Sequence, residues 1–166
     1  MSARFKGQRV VVLGGGLPSE REVSLNTASA IAGALRERGC EVVEIDPGRD
    51  LAERLLECDP EAVYIALHGT YGEDGRLQGM LDWLGIPYTG EGLRASLLAF
   101  DKALAKALFK AAGVPVAPDV CWSAADAVTK TVADLPFGVP CVVKPTAEGS
   151  SVGVRIVREA AEFEDA

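Results

Sequence analysis

R-V-V-V-L-G-G-G, residues 9–16, decides the fold. A continuous, valine-rich run closed by three glycines reads as a buried strand running into a tight turn. The next segment, residues 20–38, is helical. Ala28, Ile31, Ala32 and Leu35 recur at i, i+3, i+4 and i+7 and so share one face. Ser19 is placed to cap this helix, Glu20 and Glu22 suit the positive end of its dipole, and Gly39 closes it. A second strand over 41–46 ends at Pro47-Gly48, a short helix covers 50–58, and a third strand covers 62–67. Strand, helix, strand, helix, strand in this order predicts a parallel sheet with covering helices.

Ligands of open parallel sheets bind at the carboxyl ends of the strands. Two loops lie there, residues 14–19 and 68–75, the second reading H-G-T-Y-G-E-D-G. The first does not match G-x-G-x-x-G, because position 19 is serine, so no dinucleotide is inferred from it.

The chain has 166 residues, 48% of them hydrophobic and 25% charged, enough for a real core in one ordinary domain or two small ones. Its net charge of −7 argues against a broad nucleic-acid surface, which needs a basic footprint. No apolar run reaches the roughly 18 residues of a membrane helix, and the first seven residues are too short and polar for a secretory signal. Cysteines 40, 58, 121 and 141 form no CxxC or Cys/His pattern. Cys121 and Cys141 sit in apolar stretches and are expected to be reduced core residues. A cytoplasmic protein is expected.

Farther along, residues 76–84 predict a helix with Leu77, Met80, Leu81 and Leu84 on one side, and 85–90 a brief extended piece and turn. One helix is expected over 96–112, an extended run over 116–122, and a helical stretch over 123–133. Then comes V-V-K-P-T-A-E-G-S-S-V-G, residues 142–153, between strands at 139–143 and 154–157. Lys144 stands at the first strand's end, and Pro145 stops the ladder by removing a donor. The small-residue loop that follows is suited to gather N–H groups around phosphate oxygens, although an ordinary Gly-Ser hairpin turn has the same composition.

Taken together, L-G-G-G-L-P-S-E-R-E-V-S-L (13–25), I-A-L-H-G-T-Y-G-E-D-G-R-L-Q-G-M-L (65–81), G-I-P-Y-T-G (85–90), F-D-K (100–102), A-G-V-P-V-A-P (112–118) and V-V-K-P-T-A-E-G-S-S-V-G-V (142–154) resemble D-alanine–D-alanine ligase. That family belongs to the ATP-grasp superfamily. The resemblance covers nearly the whole chain, in order. It implies a Rossmann-like α/β substrate domain over 1–95 and the first part of an α+β ATP-grasp nucleotide domain over 96–166. The implied reaction joins two D-alanines through an acyl phosphate, with ATP and magnesium, or manganese in its place, for peptidoglycan precursor synthesis. A homodimer is implied for the complete enzyme.

Carried over by position, the resemblance implies that Glu20 holds the ammonium of the first D-alanine, with Ser150 hydrogen-bonded to it as the second catalytic residue. His68 would lie near the first substrate, although a histidine after a strand is often structural. Lys102 and Lys144 would contact ATP phosphates, and the loop of Gly149, Ser150 and Ser151 would cover them. Pro18 departs from the small polar residue common there. The family's metal ligands, oxyanion arginine and adenine-binding segment would fall beyond Ala166. A fragment, inactive in isolation, is therefore expected. The alternatives are another ATP-grasp carboxylate–amine ligase and a catalytically empty binding chain.

Overall fold

The structure, a computed structural model, describes residues 6–16, 20–149 and 151–166. Two compact units divide the chain, Met1–Phe100 and Asp101–Ala166.

In the first unit β1 (Arg9–Leu13), α1 (Arg21–Glu37), β2 (Glu41–Ile45), α2 (Leu51–Cys58), β3 (Ala62–Ile65), α3 (Arg76–Leu84) and α4 (Leu93–Phe100) follow in order. The three strands are parallel, in the order β2-β1-β3, with Val11 opposite both Val43 and Val63. The period-two geometry of a strand divides β1 between two cores. Val11 and Leu13 pack with Ile45, Leu51, Leu55, Val63, Leu77 and Leu81, while Val12 packs with Ala28, Ala32 and Ala66. Helix α1 therefore covers one face of the sheet and α2 and α3 the other, so β1 is buried on both sides, as its unbroken apolar run requires. Residues 86–89 extend the pairing beyond β3. Val63 donates to Pro87 O and accepts from Thr89 N–H, forming a parallel bridge with Tyr88.

The face predicted for α1 is the one that packs. Ala28 and Ala32 are buried, and Ile31 and Leu35 flank them. Ser24, one turn earlier on the same face, is just as buried. The expected cap Ser19 lies outside the described residues, and Glu20 holds the N-cap position without a side-chain capping bond.

The second unit holds α5 (Lys102–Ala111), the single turn α6 (Ala124–Ala127), two 3-10 turns (Val132–Asp134 and Ala160–Glu162), and the antiparallel pair β4 (Cys141–Val143) and β5 (Arg155–Val157). Four expectations change here. The helix expected over 96–112 is two helices. Asp101 adopts an extended conformation, and its carboxylate accepts from the N–H groups of Ala103 and Leu104, so a new helix starts. The helical stretch over 123–133 shrinks to α6 and one 3-10 turn, each started by a local cap at Ser123 or Thr131. The first hairpin strand begins at Cys141 rather than 139, because Pro140 has no N–H for the ladder. Cys121 is exposed, since residues 116–122 join no sheet, and Cys141 is half-buried at the start of β4; the buried thiol is Cys40.

Candidate functional site

Strand order 2-1-3 makes the connections after β1 and β3 leave in opposite directions, which opens a crevice at their carboxyl ends. The loop after β1 is tied down at every glycine nitrogen. Gly14 donates to Ile45 O (3.1 Å), Gly15 to Ser24 Oγ (2.8 Å) and Gly16 to Asp46 Oδ1 (2.9 Å). With all three N–H groups committed, these glycines form no phosphate nest. Gly14 serves close approach instead: a Cβ there would stand 2.3 Å from Ala28 Cβ, so the missing side chain lets α1 lie against the strand end. The hydroxyl of Ser24 also donates to Ala66 O (2.8 Å), bridging the exits of β1 and β3.

Sequence reasoning missed Ser24, because a serine inside a helical period reads as solvent-facing. Its position four residues before Ala28 was the available signal.

The loop after β3 is built by its own acids. Glu73 accepts the Gly69 N–H through Oε2 (3.0 Å), and its Oε1 lies 3.8 Å from His68 Nδ1. Asp74 accepts from Tyr71 N–H (3.0 Å) and Arg76 N–H (3.1 Å), joining the loop to the first turn of α3. Buried Gln78 donates to Gly72 O (2.7 Å), and its Oε1 is buried without a hydrogen-bond partner. These three side chains were also missed as site builders. For Glu73 and Asp74, an acid two to four residues from a turn glycine is the signal that could have found them. On its other side His68 faces α1, with Nε2 3.4 Å from Thr27 Oγ1.

Glu20 and this loop come together. Gly69 has φ +68°, and its missing side chain leaves room for the Glu20 carboxylate, whose Oε2 lies 2.8 Å from where a Cβ would be. The structure thus brings Glu20, His68 and Gly69 to one place above the crevice. A cleft of about 510 Å³ opens nearby, lined by His68, Glu73, Gln78, Thr89 and Ser96.

The second unit brings together Lys102 and the hairpin loop. The Lys102 N–H donates to Thr146 O (2.9 Å), and its ammonium lies 2.7 Å from Glu148 O and 3.4 Å from Thr146 O. An ammonium has three donors, so this one retains capacity for a further anionic oxygen. Lys144 follows β4 directly and is exposed, as is Ser151, while Gly149 is half-buried. Val152 and Val154 donate back to Gly149 O (3.3 Å) and Ser151 O (3.2 Å), which tightens the loop. Ser150, with Pro18, lies outside the described residues, and so does any bond from Ser150 to Glu20.

No described helix is long and apolar enough to cross a membrane. Among the described residues no group of three or more His, Cys, Asp or Glu side chains is placed to hold a metal ion.

A parallel 2-1-3 sheet, a carboxylate at its open edge and a lysine-braced hairpin loop describe an α/β ligand-binding protein, and solved structures narrow the class to the ATP-grasp ligases. D-alanine–D-alanine ligase from Bacillus anthracis superposes with TM-score 0.73 at 32% identity, over 96% of this chain and 52% of its own. The Helicobacter pylori enzyme gives 0.74 at 25% identity, over 94% and 58%. A Bacillus anthracis ligase complexed with ATP gives 0.69 at 30% identity. Two family models match the sequence, D-ala D-ala ligase N-terminus over residues 48–91 and D-ala D-ala ligase C-terminus over 108–166. D-alanine–D-alanine ligase of Anaeromyxobacter sp. strain Fw109-5 is 51% identical over 163 residues, and that of Roseobacter denitrificans 52% over 153. The chain belongs to the D-alanine–D-alanine ligase family. It spans about half the length of the curated relatives it matches, 98% of the chain against 53% of the Anaeromyxobacter protein.

Proposed function

We propose that this chain supplies the first-substrate site and part of the ATP-phosphate site of an enzyme joining two D-alanines. The carrying observation is the family match, which reaches into both units. In this reading Met1–Phe100 is the substrate unit, and Asp101–Ala166 contributes to nucleotide binding.

Glu20 is the ammonium acceptor, and its position beside Gly69 supports that role. A carboxylate there favours a cationic amine and leaves the amino acid's own carboxylate free to react. That carboxylate attacks the γ-phosphorus of ATP, ADP leaves with the bond electrons, and an acyl phosphate results. The deprotonated amine of a second D-alanine then attacks the acyl carbon. Phosphate departs as the C–N bond becomes a peptide. Phosphoryl transfer depends on positioning and charge neutralisation, which cationic side chains and aligned N–H groups provide. Lys102, Lys144 and the loop of Gly149, Ser150 and Ser151 are assigned to the phosphates, with Ser150 also supporting Glu20. His68 borders the first substrate.

The test is product analysis on the protein expressed from its own gene, given ATP, magnesium and D-alanine. D-alanyl-D-alanine formed in equal amount with ADP is the expected result. ADP release with a different carboxylate–amine pair and none with D-alanine would identify another ATP-grasp ligase instead.

A further inference from the structure

Where the chain leaves β1 and where it enters α1, one ion pair holds both points. Arg21, the first residue of α1, donates through Nη1 to Gly16 O (3.0 Å). Its Nη2 is paired with Asp46 Oδ2, and Asp46 Oδ1 accepts the Gly16 N–H (2.9 Å). Asp46 directly follows β2, so the clasp joins three places: the end of β1, the start of α1 and the end of β2. The peptide groups on both sides of Gly16 are engaged, one as donor to Asp46 and one as acceptor from Arg21. Glu20 is the neighbour of Arg21, and its carbonyl accepts the Ser24 N–H (2.9 Å), which joins its backbone to the first turn of the helix that the clasp holds.

We propose that Arg21 and Asp46 are positioning residues for the first-substrate site: they set where the Glu20 carboxylate stands relative to Gly69. This rests on the reading of Glu20 as the ammonium acceptor. Both side chains are nearly half exposed, 47% and 41%. Exposed ion pairs contribute little to stability, so only a small part of the fold's stability rests on this one. Two of its bonds go to a single glycine's backbone, which fixes geometry rather than adding a core contact. An arginine fork and a carboxylate are suited to that task, because each can hold two partners in one plane.

The experiment measures steady-state kinetics and the urea unfolding midpoint of the protein expressed from its own gene. The variants are Asp46→Ala, Asp46→Asn, Arg21→Gln, Arg21→Lys and, as reference, Glu20→Gln. Asp46→Ala and Arg21→Gln are expected to raise KM for the first D-alanine about tenfold, the loss of one charge-assisted hydrogen bond, with kcat within about threefold. Asp46→Asn keeps an acceptor for the Gly16 N–H and should rescue part of that loss, and the unfolding midpoint should stay in place. If Glu20→Gln raises KM while the Arg21 and Asp46 variants leave it unchanged, the clasp has no positioning role. If they lower the midpoint and kcat together, its role is structural only, and the proposal is overturned. An unchanged KM in Glu20→Gln overturns the reading of Glu20 itself, and the clasp's role with it.

Discussion

Ser24→Ala removes one oxygen and tests how the two strand exits are held together. Ser24 is 1% exposed, and its hydroxyl accepts from Gly15 N–H and donates to Ala66 O, both at 2.8 Å. Alanine fills nearly the same space, so little apolar area changes and two buried backbone groups lose their partner. Each orphaned group costs roughly 1–3 kcal/mol, giving a total of about 3 kcal/mol. That is a large fraction of the roughly 5–15 kcal/mol that stabilises an ordinary domain. With a urea slope near 2 kcal/mol/M, the midpoint of the first unit should fall by about 1.5 M. Because the chain has two units, unfolding is best followed by hydrogen exchange of the β1 amides, which report the first unit alone. Ser96→Ala is the internal comparison. Ser96 is also buried but makes a single side-chain bond, to Glu91 O at 3.2 Å, and should cost about 1 kcal/mol. If Ser24→Ala costs no more than Ser96→Ala, the bridge does not hold the two exits together and the reasoning fails.

Other substitutions probe neighbouring features. Gly14→Ala places a methyl group 2.3 Å from Ala28 Cβ, so α1 must move off the strand; a loss of about 2 kcal/mol is expected in urea unfolding, as for an overpacked core. The hydrogen bond from Arg21 holds the Asp46 carboxyl below its ordinary value of 3.8, so the folded state favours the ionised form. The stability this contributes is complete above pH 3.8 and is lost as pH falls through the lower folded value; carboxyl NMR should find Asp46 titrating below 3.8, and Arg21→Gln should move it upward. Lys102→Ala removes the ammonium from Glu148 O, and hydrogen exchange in residues 146–152 should speed up while that in β1 does not change.

Much of this was legible because local signals agreed. Four apolar residues ended by three glycines gave β1 its bounds, and α3 runs from Arg76 to Leu84 as its leucine spacing predicts. Glu20 and His68 were reached through resemblance, and the structure supplies their meeting point at Gly69. What escaped was polar side chains acting on backbone. Asp46 and Glu73 carry no periodic signature, and the period that puts Ser24 on the buried face of α1 does not reveal its partners, which lie on other elements or in loops, as do those of Gln78. The break at Asp101 was legible in principle: aspartate before a lysine- and alanine-rich run is a helix start. Leucines on both sides make one long periodic pattern and hide it.

The most direct test of the central claim is a crystal structure of the protein expressed from its own gene, grown with D-alanine and a non-hydrolysable ATP analogue. D-alanine's ammonium is expected at about 2.8 Å from the Glu20 carboxylate, beside Gly69, with its carboxylate directed toward the nucleotide's phosphates. D-alanine bound with its carboxylate against Glu20, or bound away from the His68–Gly69 loop, would contradict it.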